Sequence, residues 1–238
     1  MKAMILAAGR GQRLRPLTDT CPKPLLQAGS DRLIESHLHA LRRAGVREVV
    51  INTAWLAEQF PAALGDGSDY GLAITYSWEG GAGLETGGGI LNALPLLGNA
   101  PFLLVNGDIH LELDFSTLFL PDGDLAHLLV VDPPEGEGDF GLDERGRIHP
   151  APGAHVGVTY SGVGILHPAL FAGWRAAFPH GEVFGVAPPG FRLAPLLRHA
   201  MRRNAVSATR HRGPWTDAGT PESLAALQRR SGSADPAD

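Results

Sequence analysis

The stretch that most narrows what this chain can fold into is residues 4–26, MILAAGRGQRLRPLTDTCPKPLL. It opens with an apolar run, 4–8, of the length of a short buried strand. Gly9-Arg10-Gly11-Gln12-Arg13 follows as a turn whose glycines let backbone N–H groups approach an anion closely. Arg13 and Arg15 add fixed charge and forked donors suited to phosphate oxygens. Lys23 sits between Pro22 and Pro24, which restrict where its ammonium can reach. Strand, N–H turn and aimed cations together read as a polyphosphate cradle. The glycines alone would serve equally as a plain strand-to-loop turn. A dinucleotide fingerprint, G-x-G-x-x-G, is broken by Leu14, and no G-x-x-x-x-G-K-[ST] string occurs.

Downstream the sequence alternates helix and strand. Leu33, Ile34, Leu38 and Leu41 recur at helical spacing, entered through Gly29-Ser30-Asp31 as a cap and stopped at Gly45. Residues 46–53 and 72–77 read as strands, with a short helix over about 56–64 between them. This βαβαβ order predicts an α/β fold with a parallel sheet and helices on both faces. Residues 78–89, WEGGAGLETGGG, read as a second glycine-rich loop leading into a helix over 90–97. Its triple glycine would bring backbone close to a ligand at a helix start, or act as a connector.

Strand 101–105 ends in Asn106-Gly107-Asp108. In an open α/β sheet ligands sit beyond the carboxyl ends of the strands, so Asp108 falls on the functional edge. A carboxylate there suits Mg²⁺, although Asn-Gly-Asp is also ordinary turn chemistry. Next come a short helix over 114–119, a strand over 125–132, a hairpin within 140–150 and a β-rich run over 156–166. Strands without intervening helices predict an antiparallel extension of the sheet. A helix from His167-Pro168 to Ala177, a Gly/Pro-rich loop over 178–191, an amphipathic helix over 192–203 and a last helix over 221–230 complete the pattern. Residues 231–238 are small and polar and are expected to be disordered.

Composition excludes several classes. Hydrophobic residues make up 44% and charged residues 19%, as in a soluble globular protein, and no run of about 18 apolar residues predicts a membrane span. A formal net charge of -5 with no basic block argues against nucleic acid as a partner. Cys21 is the only cysteine, so no intrachain disulfide can form, which fits a cytoplasmic location. Ten histidines invite a zinc reading, but there is no C-x-x-C or H-E-x-x-H, and His37 and His39 fall on different sides of a helix.

The string L-A-A-G-R-G-Q-R-L-R-P-L-T, then P-K-P-L-L, resembles the signature of the sugar-1-phosphate nucleotidyltransferases. The resemblance implies a Rossmann-like, GT-A-like α/β fold with a mixed, mainly parallel sheet. It implies one domain over residues 1–230, with a nucleotide-binding part over about 1–110 and a sugar-binding part over about 111–230. By the same resemblance Leu6, Ala8, Gly9, Gly11, Gln12, Arg13 and Lys23 bind a nucleoside triphosphate, Arg13 and Lys23 being catalytic. The family's L-G-T-x-G loop, which the resemblance implies reads the nucleobase and touches the sugar, is matched at Leu84, Thr86 and Gly88; Thr86 and Gly88 are its implied nucleotide contacts, while Glu85 replaces the usual glycine at the sugar. Asn106, Asp139 and Gly162 correspond to positions lining the sugar pocket. W-T-D-A-G-T-P at residues 215–221 resembles the family's W-x-D-x-G-T-P and implies Asp217 as a second metal carboxylate beside Asp108, both on Mg²⁺. An E-K-P element whose lysine contacts the sugar phosphate in many relatives is missing, with Arg147 as a possible substitute.

WLAEQF, LETGGGI, NGD and SGVGILHPALF resemble the N-acetylmuramate-1-phosphate uridylyltransferases of cell-wall recycling. That implies UTP and N-acetylmuramic acid 1-phosphate as substrates, in a monomer or small homo-oligomer. The alternatives are a mannose- or glucose-1-phosphate nucleotidyltransferase, a phosphocholine cytidylyltransferase, or a non-catalytic nucleotide-sugar sensor. A sensor has no need of both carboxylates.

Overall fold

Apolar side chains alternate along the central strands and so divide between two faces of one sheet. The computed structural model describes residues 1–185 and 187–232. Its first half contains β1 (Ala3–Leu6), α1 (Leu17–Thr20), β2 (Gln27–Ala28), β3 (Asp31–Arg32), α2 (Leu33–Arg43), β4 (Glu48–Thr53), α3 (Gln59–Leu64) and β5 (Ala73–Trp78). The middle runs through α4 (Glu85–Leu97), β6 (Phe102–Asn106), β7 (Ile109–Leu111), β8 (Ala126–Val131), β9 (Phe140–Leu142), β10 (Ile148–His149) and β11 (Val156–Leu166). The chain closes with α5 (Leu193–Met201), β12 (Val206–Arg210), β13 (Trp215–Asp217) and α6 (Pro221–Gly232).

Strands β5, β4, β1 and β6 are parallel neighbours in that order. β11 joins β6 antiparallel, β8 joins β11 antiparallel, and β12 lies parallel to β8. The β9–β10 hairpin pairs with the first half of β11. The sheet is therefore mixed, with a parallel half and an antiparallel extension. Met4, Val50, Phe102 and Leu104 face the layer of α4 and α5, where Ile90, Leu97, Leu196 and Leu197 are buried. Ala3, Ile5, Val49, Ile51, Leu103 and Val105 face α2 and α3, against Ile34, Leu38, Leu41 and Phe60. A third cluster, of Leu14, Leu26, Leu33, Ala218, Leu224 and Leu227, seats α6 beneath the first glycine turn.

Several expected boundaries move, each for a local reason. β1 ends at Leu6, and the Ala7 N–H donates to the Asn52 side chain at 2.8 Å. Asp31 does not cap α2; residues 27–32 fold into the β2–β3 hairpin, and Glu35 accepts from the Arg32 N–H at 2.6 Å. The expected helix over 168–177 is two separate 3-10 turns, because Gly173 adopts a left-handed φ of 66° between them. The helix over 114–119 shrinks to one such turn, Phe115–Thr117. The short strands β7, β12 and β13 escape the sequence pattern, being three to five residues long. The last helix runs on to Gly232, and the rest of the expected disordered tail, 233–238, lies outside the described residues.

The largest difference concerns Gly87, Gly88 and Gly89. They lie inside α4 and are buried, not in a loop before it. The Gly87 and Gly88 N–H groups donate to the Phe191 carbonyl at 2.8 and 3.0 Å, so residues 189–191 lie directly on the helix. A Cβ on Gly87 would come within 2.6 Å of the Phe191 ring, and one on Gly88 would run into the Pro189 carbonyl oxygen and lie 3.0 Å from Gly190 Cα. A Cβ on Gly89 would collide with Glu79. The triplet is thus there for close packing, at the expense of helix propensity. Gly88→Ala tests this account. Propensity alone would stabilise the helix by about 1 kcal/mol. Backbone collision is expected to outweigh it, with a net loss of about 1–3 kcal/mol in urea denaturation; a gain in stability would refute the packing account.

Candidate active site

The site forms at the carboxyl ends of β1, β4, β5 and β6, as the sheet topology requires. Gly9 and Gly11 shape its floor. No heavy atom lies within 4 Å of where a Gly9 Cβ would stand, and Gly9 borders both of two adjoining hollows. Gly11 has φ +65°, and a Cβ there would meet Thr18 Cγ2 at 2.8 Å, so both conformation and space call for glycine. Thr18 fixes the turn by donating from Oγ1 to the Gly11 carbonyl at 2.8 Å. The smaller hollow, about 270 Å³, is lined by Gly9, Gly11, Gln12, Arg13, Lys23 and Asp108 among others.

Lys23 is buried, yet its ammonium reaches Asp108 Oδ2 at 2.6 Å and Asp217 Oδ1 at 3.5 Å. Arg13 approaches the other Asp217 oxygen at 3.7 Å. The two aspartates are far apart in sequence and are joined by a miniature ladder. β7 and β13 pair antiparallel with Asp217 opposite Ile109, and the Ala218 N–H donates to the Asp108 carbonyl at 2.9 Å. Trp215 anchors that ladder to the main sheet through Nε1 to the Ser161 carbonyl, 2.8 Å. Thr220 Oγ1 then accepts from the Ser223 N–H and starts α6. Among the described residues no group of three or more His, Cys, Asp or Glu side chains could hold a metal. Two carboxylates gathered around one cation, open toward a phosphate-sized hollow, do match the protein share of a Mg²⁺ site.

The larger hollow, about 410 Å³, holds residues that sequence reasoning missed. Glu79 is buried and accepts from Asn52 Nδ2 at 2.5 Å and from the Leu84 N–H at 2.7 Å. Burial holds its carboxyl above the usual carboxylate range against the pull of those two donors. With Asn52 also accepting from Ala7, one polar chain ties the end of β1 to the second glycine loop. Arg10 borders the same hollow, its guanidinium 3.5 Å over the Trp55 ring and bonded to the Thr18 carbonyl at 2.9 Å. Asn52, Glu79 and Asn106 each stand at or just past the carboxyl end of a parallel strand, which was the available signal for the first two.

The other expected residues divide. Leu6, Ala8, Gln12, Thr86, Glu85 and Asn106 border the hollows. Gly162, at φ +89° in the bulge of β11, packs against Asn106, where a Cβ would come within 2.8 Å of Nδ2. Gly88 does not reach the hollows, being covered by residues 189–191. Asp139 lines neither hollow, and its main chain is engaged by Val158 and Arg198. Arg15 pairs with Asp19 at 2.8 Å and also lies outside the lining. Arg147 cannot replace the missing lysine: its Nη1 donates to both oxygens of the buried Asp124, at 2.8 and 2.9 Å, and its Nε donates to Asn204 Oδ1. Asp124 needs that partner, because a buried carboxylate without one is costly.

Comparison with known proteins bears on this geometry. A family model described as "Nucleotidyl transferase" matches residues 2–134. The chain belongs to the nucleotidyl transferase family. Over 227 residues it is 51% identical to the N-acetylmuramate alpha-1-phosphate uridylyltransferase of Neisseria meningitidis serogroup B, covering 92% of this chain and 94% of that one. It is 32% identical to the protein of the same name from Caulobacter vibrioides, with 96% of each chain covered. Among solved structures, a Bacillus anthracis chain assigned as a glucose-1-phosphate thymidylyltransferase superimposes with a TM-score of 0.80 over 100% of this chain and 98% of that one. At 20% identity this last likeness is one of fold. No helix among the described residues is long and apolar enough to cross a membrane.

Behind Asp108, His37 of α2 is fully buried, with Nε2 lacking a partner. Burial pushes its pKa down to about 4, against an opposing backbone hydrogen bond to Ile109. In the unfolded chain a histidine titrates near 6.5. Between those values the unfolded chain holds the proton and the folded chain does not. Stability is therefore complete above about pH 6.5 and declines as pH falls toward 4, by up to about 3 kcal/mol from this group. Urea titrations of wild type and His37→Leu over this range are expected to show the decline shrinking in the variant. Parallel curves would mean that His37 is not a buried neutral group.

Proposed function

We infer that the chain transfers the uridylyl group of UTP to a sugar 1-phosphate, with N-acetylmuramic acid 1-phosphate as the acceptor. The products are the UDP-sugar and pyrophosphate. The near-full-length likeness to the Neisseria and Caulobacter proteins supports both substrates. The observation that carries the reading is the meeting of Lys23, Asp108 and Asp217 beside the Gly9–Gly11 turn. An acceptor of this kind suits a role in peptidoglycan recycling, and UTP as donor suits the cytoplasm.

In the reaction an oxygen of the acceptor phosphate forms a bond to the α-phosphorus of UTP. The bond from that phosphorus to the bridging oxygen breaks, and pyrophosphate leaves with the electron pair. The attacking group is already an anion, so no protein base is required. Catalysis is then a matter of holding two anions in line and offsetting their charge. The open backbone at Gly9 and the Arg13 guanidinium bind the β and γ phosphates. Lys23, stiffened by its flanking prolines and short of solvent, presents its ammonium to the α-phosphate. Asp108 and Asp217 would hold a Mg²⁺, which would supply neutralisation of charge on the phosphoryl oxygens. Glu79 and Asn52 act on the loop that borders the nucleoside, and Asn106 stands on the acceptor side.

The test is pyrophosphate release across a grid of nucleoside triphosphates and sugar 1-phosphates. Release is expected with UTP and N-acetylmuramic acid 1-phosphate and to stop on chelation until Mg²⁺ is restored. Release from a different pair only would move the specificity elsewhere in the family. Asp108→Asn is expected to lower kcat by about 100-fold or more while UTP binding survives, because the metal that this carboxylate would hold acts on charge that develops in transfer. Undiminished turnover in that variant would remove Asp108 from the metal site.

A further inference from the structure

Beside the larger hollow lies a side cavity of about 600 Å³, and the two share Glu85 and Phe184. Two arginines border this cavity. Arg198 is engaged: Nε donates to the Pro150 carbonyl at 3.1 Å, and its guanidinium lies 5.0 Å from the Phe140 ring. Arg192 has one ionic partner among the described residues, Glu85, with Nε 3.7 Å from Oε2, and its side chain is 77% exposed. Its guanidinium, which carries five N–H donors, is therefore largely open to solvent on a residue that lines the cavity.

Glu85 itself stands where a glycine would be easier. It has φ +59°, a left-handed conformation that strains any residue with a Cβ. An ion pair this exposed returns little stability for that strain. What the pair does is placement. Thr86 Oγ1 accepts from the Leu193 N–H at 2.9 Å, and Phe191 takes the Gly87 and Gly88 N–H groups. The starts of α4 and α5 are thus tied together, and Glu85 and Arg192 are fixed neighbours at the junction of the two spaces.

We propose that Arg192, positioned by Glu85, binds the carboxylate of an acidic sugar acceptor at the mouth of the side cavity. This rests on the acceptor assigned above, whose lactyl ether ends in a carboxylate. A guanidinium takes such a group through paired N–H donors. Glu85 is the positioning residue and Arg192 the specificity-determining one, and the cavity beyond Phe184 gives the substituent room.

The experiment compares kcat/KM for N-acetylmuramic acid 1-phosphate and for its lactyl methyl ester, which lacks the charge, with UTP as donor. Wild type is expected to favour the acid by about tenfold or more, chiefly through KM. Arg192→Ala is expected to bring the acid-to-ester ratio close to one, and Arg192→Lys to keep part of it. Glu85→Gly is expected to lower the ratio while raising the thermal midpoint, since it relieves the left-handed strain. An undiminished ratio in Arg192→Ala, or equal use of acid and ester by wild type, overturns the proposal. If wild type makes no UDP-sugar from the acid at all, it is the acceptor assignment that fails.

Discussion

One buried ammonium organises this molecule. Lys23 is held with little solvent around it, and a charge at that depth persists only with partners at hand. Its partners, Asp108 and Asp217, lie 85 and 194 positions further along the chain, so the fold must close before the charge is satisfied. The β7–β13 ladder supplies that closure, and α6 locks it. Leu224 and Leu227 of α6 pack on Leu14, next to Arg13, and on Ala218, next to Asp217. The first glycine turn and the last strand are thereby one structural unit, although more than 200 residues of sequence separate the ends of that unit.

The sheet does the rest of the positioning. Parallel strands deliver their carboxyl ends to a common edge, and each carries a polar residue there: Asn52 on β4, Glu79 just past β5, Asn106 on β6. Buried without partners, such side chains would be liabilities. At the edge Asn52 and Glu79 bond one another and the backbone of Ala7 and Leu84, and all three line the larger hollow. The antiparallel half contributes differently. The bulge in β11 lets Gly162 approach Asn106, and the Ser161 carbonyl it exposes receives Trp215. The bulge therefore supports both the Asn106 edge of the larger hollow and the strand that carries Asp217.

Much of this was legible in the sequence because it is local. The glycine turn, the proline-flanked lysine, the βαβαβ order and the Asn-Gly-Asp end of β6 are short patterns whose physics acts within a few residues. The antiparallel extension was legible too, from strands that follow one another without a helix. What stayed hidden depends on contacts distant in sequence. The triple glycine of α4 read as a loop because nothing nearby reveals that residues 189–191 press on the helix. Arg147 read as a spare cation because its partner Asp124 lies in another segment. Glu79 read as part of a flexible loop, since its burial depends on Asn52, 27 positions away. Glu85 was singled out by its departure from the family's glycine, and the structure adds what the departure involves: a left-handed backbone with a side chain retained on it.

The same geometry separates loss of chemistry from loss of fold. Lys23 is almost wholly enclosed, whereas the side chains of Asp108 and Asp217 are 36% and 43% exposed. Removing the lysine leaves two like charges facing each other across a gap, a change that strains the β7–β13 ladder as well as the reaction. Neutralising one aspartate leaves the ammonium still paired with the other, and water can reach the altered group. The aspartates are therefore the cleaner probes of catalysis. A defect at Lys23 must be divided between the phosphate contact proposed for it and the charge balance that joins Lys23 to Asp108 and Asp217.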